Sequence, residues 1–171
     1  MTTVGFDDFV WLRGRELRRV AYLLTGNLTD ADDLVQAALI KVLARWATVE
    51  RAGDPFPYVL TILVNTRRTW WRHGARTTAV ADLPDRAGID PYELADTKLA
   101  LWQALMKLPD RQRKTVVLRY YEDLSEAETA RILGCSVGTV KSQCAKGIAN
   151  LRRTRDELRP STAASPGDPH E

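Results

Sequence analysis

The segment from Leu124 to Leu151 constrains the fold more than any other part of the sequence. Ser125 followed by Glu128 is the pattern of a helix capping box, and Gly134 stands where a helix would end in a left-handed turn. Ser136 is then placed to cap a second helix. Two short capped helices joined by a turn that contains glycine predict a helix-turn-helix.

The second helix of this motif separates apolar from polar side chains at helical spacing. Its apolar stripe comprises Val137, Val140, Cys144, Ile148 and Leu151. Its opposite face comprises Thr139, Ser142, Gln143, Lys146 and Asn150. Hydroxyls, amides and amines of this kind read base edges and phosphates in a major groove. No acidic residue occurs between Glu128 and Asp156, so the face predicts a nucleic-acid interface; the alternative is a solvated face on a helical hairpin.

Composition sets limits on the class of protein. The 171 residues are 44% hydrophobic and 27% charged, which is enough for a packed core, and the net charge of +3 is only mildly basic. Cys135 and Cys144 form no CxxC pair and there are only two histidines, so we expect neither a metal site nor a cofactor. The sequence offers no leader and no membrane span, so we expect a cytoplasmic, nucleoid-associated protein.

Apolar periodicity predicts five further helices before the motif. They run from Phe6 to Thr25, Thr29 to Trp46, Phe56 to His73, Tyr92 to Lys107 and Arg111 to Glu122. Residues 74–91 lose this periodicity and predict a flexible linker, and residues 158–171 predict a disordered tail. The predicted fold is therefore all-α, with two small helical domains joined by a flexible linker.

The helix from Thr29 to Trp46 has an unusual outward face. Its N-terminus carries a Thr29–Asp32 capping pattern. Away from its apolar stripe, Asp33, Gln36 and Ile40 fall together with two alanines. An isoleucine beside a carboxylate and an amide indicates a docking surface for another protein. The alternative is an incidental exposed isoleucine, which is common when it occurs singly.

The helix from Phe56 to His73 contains no acidic residue. Its predicted inward positions are Val59, Ile62, Leu63, Thr66 and Trp70. Its predicted outward positions are Leu60, Val64, Arg67, Arg68, Trp71 and Arg72. A tryptophan among arginines suits single-stranded or partly opened nucleic acid, because arginines hold phosphates and aromatic rings stack on bases. The alternative places both tryptophans in the core and the arginines in solvent.

Three segments in this order resemble the extracytoplasmic-function sigma factors of bacterial RNA polymerase. ADDLVQ, within the second predicted helix, is the most specific of them. PYVLTILVNTRRTWWRH is similar to the helix that reads and melts the −10 element, and the stretch from LWQALMKLPDRQRK to KGIANLR is similar to the −35-reading domain. The opening WLRGRELRRVAYLLTG is most like an actinobacterial SigE-like subgroup.

The resemblance implies specific roles for residues of this chain. Those expected to dock on core polymerase are Asp33, Leu34 and Gln36, and Ile40, which periodicity places on the same outward face, is expected to dock with them. Those expected near the −10 element are Asn65, Arg67, Arg68, Trp71 and Arg72. Those expected to contact the −35 duplex are Ser136, Thr139, Lys141, Ser142, Gln143 and Lys146. Gln143 stands where the family often has arginine, which would shift base preference from guanine toward adenine, and Thr129 replaces a usual apolar residue.

The resemblance also implies a domain plan and partners. A region 2-like domain is expected over residues 1–73 and a region 4-like domain over 92–157. The implied partners are core RNA polymerase, double-stranded promoter DNA, the melted non-template strand and an anti-sigma factor. The implied activity is promoter-specific transcription initiation, without enzymatic activity.

Two other classes of function compete with this one. A LuxR-type regulator has a similar C-terminal helix-turn-helix but needs neither the ADDLVQ face nor the arginine–tryptophan helix. An interaction protein could occupy polymerase, or sequester a regulator, without starting transcription. An enzyme is least compatible, because the sequence contains no paired-carboxylate cleft, metal spacing, nucleophile elbow or phosphate-binding glycine loop.

Overall fold

The computed structural model describes residues 5–72 and 91–158, apart from the side chains of residues 68, 70–72, 91–97 and 158. Every regular element in these ranges is helical, in agreement with the predicted all-α class. The helices are α1 (Phe6–Thr25), α2 (Leu28–Leu43), α3 (Trp46–Val49), α4 (Phe56–Arg72), α5 (Pro91–Lys107), α6 (Asp110–Val116), α7 (Glu126–Leu133) and α8 (Val137–Leu158). The predicted linker, apart from position 91, and the tail beyond 158 lie outside the described residues.

Helices α1 and α2 form a hairpin around a two-residue turn. Gly26 ends α1 with φ +88°, a backbone conformation that glycine adopts without strain. Asn27 then caps α2, since its Oδ1 accepts a hydrogen bond from the Asp30 amide at 2.7 Å. The helix therefore begins at Leu28, and the predicted Thr29 cap is wrong because Asn27 supplies the cap two residues earlier.

Helix α2 ends before the predicted boundary, at Leu43. The chain turns there, and Trp46 begins the short helix α3. The Trp46 ring packs against Phe6 and Phe9, with ring centroids 5.3 and 5.2 Å apart. Closing the start of α1 over the end of α2 in this way stabilises the N-terminal half.

Helix α4 is buried on two sides, which corrects the predicted division of its faces. It packs on α2 and also against α7 of the C-terminal half. Leu60, Val64 and Arg67 were predicted to point outward, yet all three are buried. Helical periodicity could not reveal this, because the second covering surface comes from a distant part of the chain.

The C-terminal half contains α5 to α8, and α6 continues as a π-helical turn from Val117 to Tyr121. Leu101 and Tyr120 carry large apolar or aromatic side chains, yet both are more than half exposed. Both line an apolar groove between α1, α5 and α8. Trp102 of α5 stacks on Tyr22 of α1 with ring centroids 6.1 Å apart, so one hydrophobic core runs through both halves.

Candidate nucleic-acid interface

The turn of the helix-turn-helix is fixed by local hydrogen bonds. The Ser125 hydroxyl accepts from the Glu128 amide, and the Glu128 carboxylate accepts from the Ser125 amide at 2.8 Å. The Ser125 hydroxyl also donates to the Glu128 carboxylate at 2.6 Å, and this bond, together with the bond from the Ser125 amide, lowers the pKa of Glu128. Gly134 ends α7 with φ +64°, and the Ser136 hydroxyl accepts from the Thr139 amide at 3.1 Å at the start of α8. The predicted caps are confirmed, and the Ser136 cap satisfies a backbone amide in the first turn of α8.

The N-terminal turns of α8 present the predicted polar face to solvent. Of the residues expected to contact the −35 duplex, Gln143 is half-buried and the others are exposed, namely Ser136, Thr139, Lys141, Ser142 and Lys146. The hydroxyls of Ser136 and Thr139 lie 2.9 Å apart. The Lys141 ammonium lies 3.6 Å from the Glu126 carboxylate. Because a surface ion pair contributes only about 0–1 kcal/mol, this one leaves the Lys141 ammonium able to exchange partners.

The inner face of α8 is locked onto α6. Val140 is fully buried, whereas Val137, predicted on the same stripe, is 38% exposed. The Asn150 side-chain amide donates to the Gln112 side chain at 2.8 Å, so Asn150 belongs to the packing interface and not to the outward face. Burial raises the pKa of the Cys144 thiol, in keeping with its predicted place beside the core. The polar face of α8 is therefore displayed on a supported helix.

The basic residues of α4 have a different environment. Arg67 is buried and forms an ion pair with Asp110 at the start of α6, and Asn65 is half-buried. The other carboxylate oxygen of Asp110 lies 2.7 Å from the Lys114 ammonium. The backbone of α4 extends through positions 68, 71 and 72, but the side chains predicted there to face the −10 element, Arg68, Trp71 and Arg72, lie outside the described residues.

Burial lowers the pKa of Arg67, but the side chain keeps its positive charge at neutral pH. Desolvation, with a smaller contribution from the nearby positive charge of Arg113, lowers the pKa of Arg67 to about 10. The guanidinium is still protonated at neutral pH, so its attraction to Asp110 persists. In this arrangement the C-terminal half supplies the anion that Arg67 contacts.

The predicted docking face on α2 is largely exposed. Asp33 and Gln36 are exposed, and Ile40 is 69% exposed. Leu34, predicted to dock on polymerase, is instead completely buried. Its assignment is corrected, because position 34 falls on the apolar stripe that packs into the core and its side chain has no surface to offer a partner.

The sequence patterns did not identify Arg113 as a residue that connects the two halves. The Arg113 guanidinium donates to the Leu24 carbonyl of α1 at 3.1 Å, and it donates to carbonyls at the C-terminal end of α5. A cation is favourable at helix C-termini, where carbonyl groups lack partners. No local sequence signal indicates that Asp110, at the start of α6, would meet Arg67.

The comparisons with known proteins agree with this geometry. Residues 12–77 match the family model for sigma-70 region 2, and residues 98–151 match the model for sigma-70 region 4. The chain is 36% identical to the RNA polymerase sigma-E factor of Streptomyces coelicolor, over 86% of this chain and 84% of that protein. The chain belongs to the extracytoplasmic-function sigma factors. It is also 34% identical to the ECF sigma factor SigM of Mycobacterium tuberculosis, over 87% of this chain and 76% of that protein.

Solved structures show the same relationship. The sigma factor RpoE of Bartonella quintana, solved in complex with the anti-sigma factor NepR, aligns with a TM-score of 0.73 and 26% identity. That alignment covers 88% of this chain and 96% of the Bartonella chain. The family assignment and the SigE-like resemblance predicted from sequence are confirmed.

Membership in this family defines the activity. The protein is a sigma factor, a non-enzymatic initiation factor that acts with core RNA polymerase and directs transcription from promoters. The region 2 match removes the LuxR-type alternative, which would not need that domain. None of the described helices is both long enough and apolar enough to cross a membrane.

Proposed function

We propose that this sigma factor divides its work among three surfaces. In the region 2-like domain, residues 1–73, the exposed face of α2 docks on core polymerase through Asp33, Gln36 and Ile40. The same domain reads and opens the −10 element with α4. The region 4-like domain, residues 92–157, reads the −35 duplex with α8, and residues 74–91 connect the two. The observation that carries this assignment most strongly is the capped, solvent-facing polar surface at the start of α8.

The −35 contact fits the chemistry of that surface. The N-terminal residues of a recognition helix approach base edges, while lysines along it hold phosphates. Ser136, Thr139 and Ser142 offer hydroxyl groups, and Gln143 offers an amide that pairs well with adenine. Lys141 and Lys146 supply the positive charge, and Lys141 exchanges its weak pair with Glu126 for a phosphate.

The −10 contact requires the two halves to move apart. Arg67 is occupied by Asp110, so it reaches a phosphate only after α6 leaves α4. Asn65, Arg68, Trp71 and Arg72 complete the −10 surface, with the tryptophan stacking on bases of the melted non-template strand. Two weak DNA contacts then become effective together, because polymerase makes the second binding event intramolecular.

Transcription in vitro tests this assignment. Purified core polymerase with the full-length protein should give discrete start sites on genomic fragments, and core polymerase alone should not. Lys146→Ala should weaken binding of the reconstituted holoenzyme to such a promoter and reduce its salt dependence by about one phosphate contact. The matched control is Arg152→Ala, an exposed cation farther along α8.

The results separate the competing explanations. Equal promoter binding by wild type and Lys146→Ala would contradict the −35 assignment. Tight binding to core polymerase with no transcripts would instead favour an interaction protein that occupies polymerase without initiating.

Regulation by an anti-sigma factor is the second part of the proposal, and its supporting observation is the complex of the Bartonella relative with NepR. Such a partner would hold this protein away from core polymerase, and the free protein would act in the cytoplasm on the nucleoid. Affinity purification of the tagged full-length protein from its native cells should recover a partner that blocks transcription in vitro. Recovery of core polymerase alone would contradict this part.

A further inference from the structure

Helix α1 exposes a tryptophan that neither the fold nor the proposed DNA contacts use. Trp11 is 84% exposed, although tryptophan is among the residues most strongly buried on average. Ile40 and Leu43, near the C-terminal end of α2, are 69% and 54% exposed. Large apolar side chains gathered on one surface indicate an interaction site, whereas isolated ones do not. Whether Trp11, Ile40 and Leu43 form an interaction site therefore depends on whether they lie on one surface.

The pairing of α1 with α2 brings these residues onto one ridge. Arg18 binds the Asp32 carboxylate through two nitrogens, at 2.5 and 2.8 Å, and this contact fixes how the two helices lie side by side. Trp11 precedes Arg18 by two turns on the same flank of α1, about 10 Å along its axis. The helices run in opposite directions, so Trp11 lies beside the C-terminal turns of α2, where Leu43 is exposed.

Packing at the end of the hairpin supports this placement. Trp46, just beyond α2, contacts Phe6 and Phe9 near the start of α1. The N-terminal half of α1, which carries Trp11, and the C-terminal end of α2, which carries Leu43, therefore lie close together. Leu12 is also exposed, at 61%, but a turn of about 100° per residue directs it away from the flank that bears Trp11 and Arg18.

We propose that Trp11 and Leu43 extend the polymerase-docking face of α2 onto α1. This inference rests on the proposed function, because Asp33, Gln36 and Ile40 form the adjoining part of the surface. An apolar centre beside polar groups is typical of protein interfaces, and tryptophan is enriched among residues that dominate binding energy. Core polymerase is the occupant that this continuity favours. The carboxylate of Asp33 on the same face disfavours DNA.

A binding titration with two neighbouring variants tests the extension. Full-length protein carrying a dye at its C-terminus is titrated with core RNA polymerase, and fluorescence anisotropy gives the Kd. Trp11→Ala should raise the Kd at least about tenfold, as expected when a tryptophan that contributes strongly to binding is truncated. Leu12→Ala, the matched control, should change it less than about twofold. Trp11→Phe should recover part of the affinity, and thermal unfolding should show that all variants remain folded.

Each other outcome overturns the inference in a recognisable way. Wild-type affinity in Trp11→Ala, or equal losses in Trp11→Ala and Leu12→Ala, removes Trp11 from the docking surface while leaving the proposed function intact. Failure of the wild type to bind core polymerase removes the proposed function as well. Sedimentation of the free protein tests whether a second copy of the chain occupies this ridge. If the free protein is a dimer that Trp11→Ala dissociates, and if the affinity for polymerase is unchanged, the ridge is a self-association surface.

Discussion

At the scale of the single residue, the buried hydroxyl of Thr129 lowers the stability of the folded protein. It is completely buried in α7, and its hydroxyl oxygen has no hydrogen-bond partner among the described residues. A buried hydroxyl without a partner forfeits its interactions with water. The sequence had marked this position as one where an apolar residue is usual, and the structure gives the physical reason.

Replacing this hydroxyl with a methyl group should stabilise the protein. Thr129→Val keeps the shape of the side chain and removes the unsatisfied polar atom, so we expect the free energy of unfolding to rise by about 1 kcal/mol. Urea unfolding measures the change. Thr48→Val, at an exposed threonine, should stay within about 0.5 kcal/mol of wild type. A lower midpoint for Thr129→Val would mean that the hydroxyl has a partner.

The capping carboxylate of Glu128 makes a prediction about pH. Its bonds to Ser125 lower its pKa in the folded state, so the folded protein favours the ionised form. That stabilisation is complete above the unfolded pKa of about 4.3 and is lost as the pH falls through the lower folded value. Unfolding midpoints of wild type and Glu128→Gln should therefore differ near neutral pH and converge in acid. A gap that widens in acid would contradict this account.

At the scale of the helix, α6 and α8 approach closely because one residue lacks a side chain. Gly147 of α8 is buried, and a Cβ placed there would lie 2.7 Å from Cγ2 of Val116. Asn150 reaches Gln112 three residues farther along the same contact. The orientation of the recognition helix on its support depends on this crossing.

Gly147→Ala should force the two helices apart. Overpacking of this kind costs about 1–3 kcal/mol, more than the gain of about 1 kcal/mol from the better helix propensity of alanine. Thermal unfolding should therefore show a lower midpoint. Gly138→Ala is the control, because its Cβ would meet only the Ser136 hydroxyl at 3.8 Å, and propensity alone should make it neutral or stabilising. Equal effects at both positions would contradict the packing explanation.

At the scale of the whole molecule, polar and aromatic contacts hold the two halves together. Arg113 reaches the end of α1, Trp102 stacks on Tyr22, and Asp110 pairs with Arg67. The Arg67–Asp110 pair crosses between α6 and α4. Breaking one member of a buried pair is costly, because the other charge remains without compensation.

Asp110→Asn should shift the protein toward separated halves. The Arg67 guanidinium loses the Asp110 carboxylate and regains hydration when α6 moves away, so energy transfer between dyes on exposed sites of α2 and α8 should fall. Glu16→Gln is the control, since Glu16 pairs with Arg13 inside α1 and does not bridge the halves. Unchanged energy transfer in Asp110→Asn would show that the pair does not hold the closed arrangement.

Local signals predicted much of this structure, and distant contacts account for what they missed. The bounds of α1 and the caps of α7 and α8 follow from neighbouring residues, and the structure agrees with them. Leu60 and Arg67 were misplaced because a sequence pattern does not reveal a second surface folding back from another domain. The assignments of Arg68, Trp71 and Arg72 remain predictions.

If Arg67 contacts a phosphate of the −10 element, as proposed, the carboxylate of Asp110 occupies the position that this phosphate would take, and the molecule would carry an internal competitor for DNA. When only a fraction of molecules is binding-competent, the apparent affinity falls in proportion to that fraction. Random DNA, which offers one weak contact at a time, would meet this penalty in full. A promoter presented on polymerase would offer several contacts at once, so under this assignment the competitor would act as a filter that favours complete initiation complexes over scattered genomic sites.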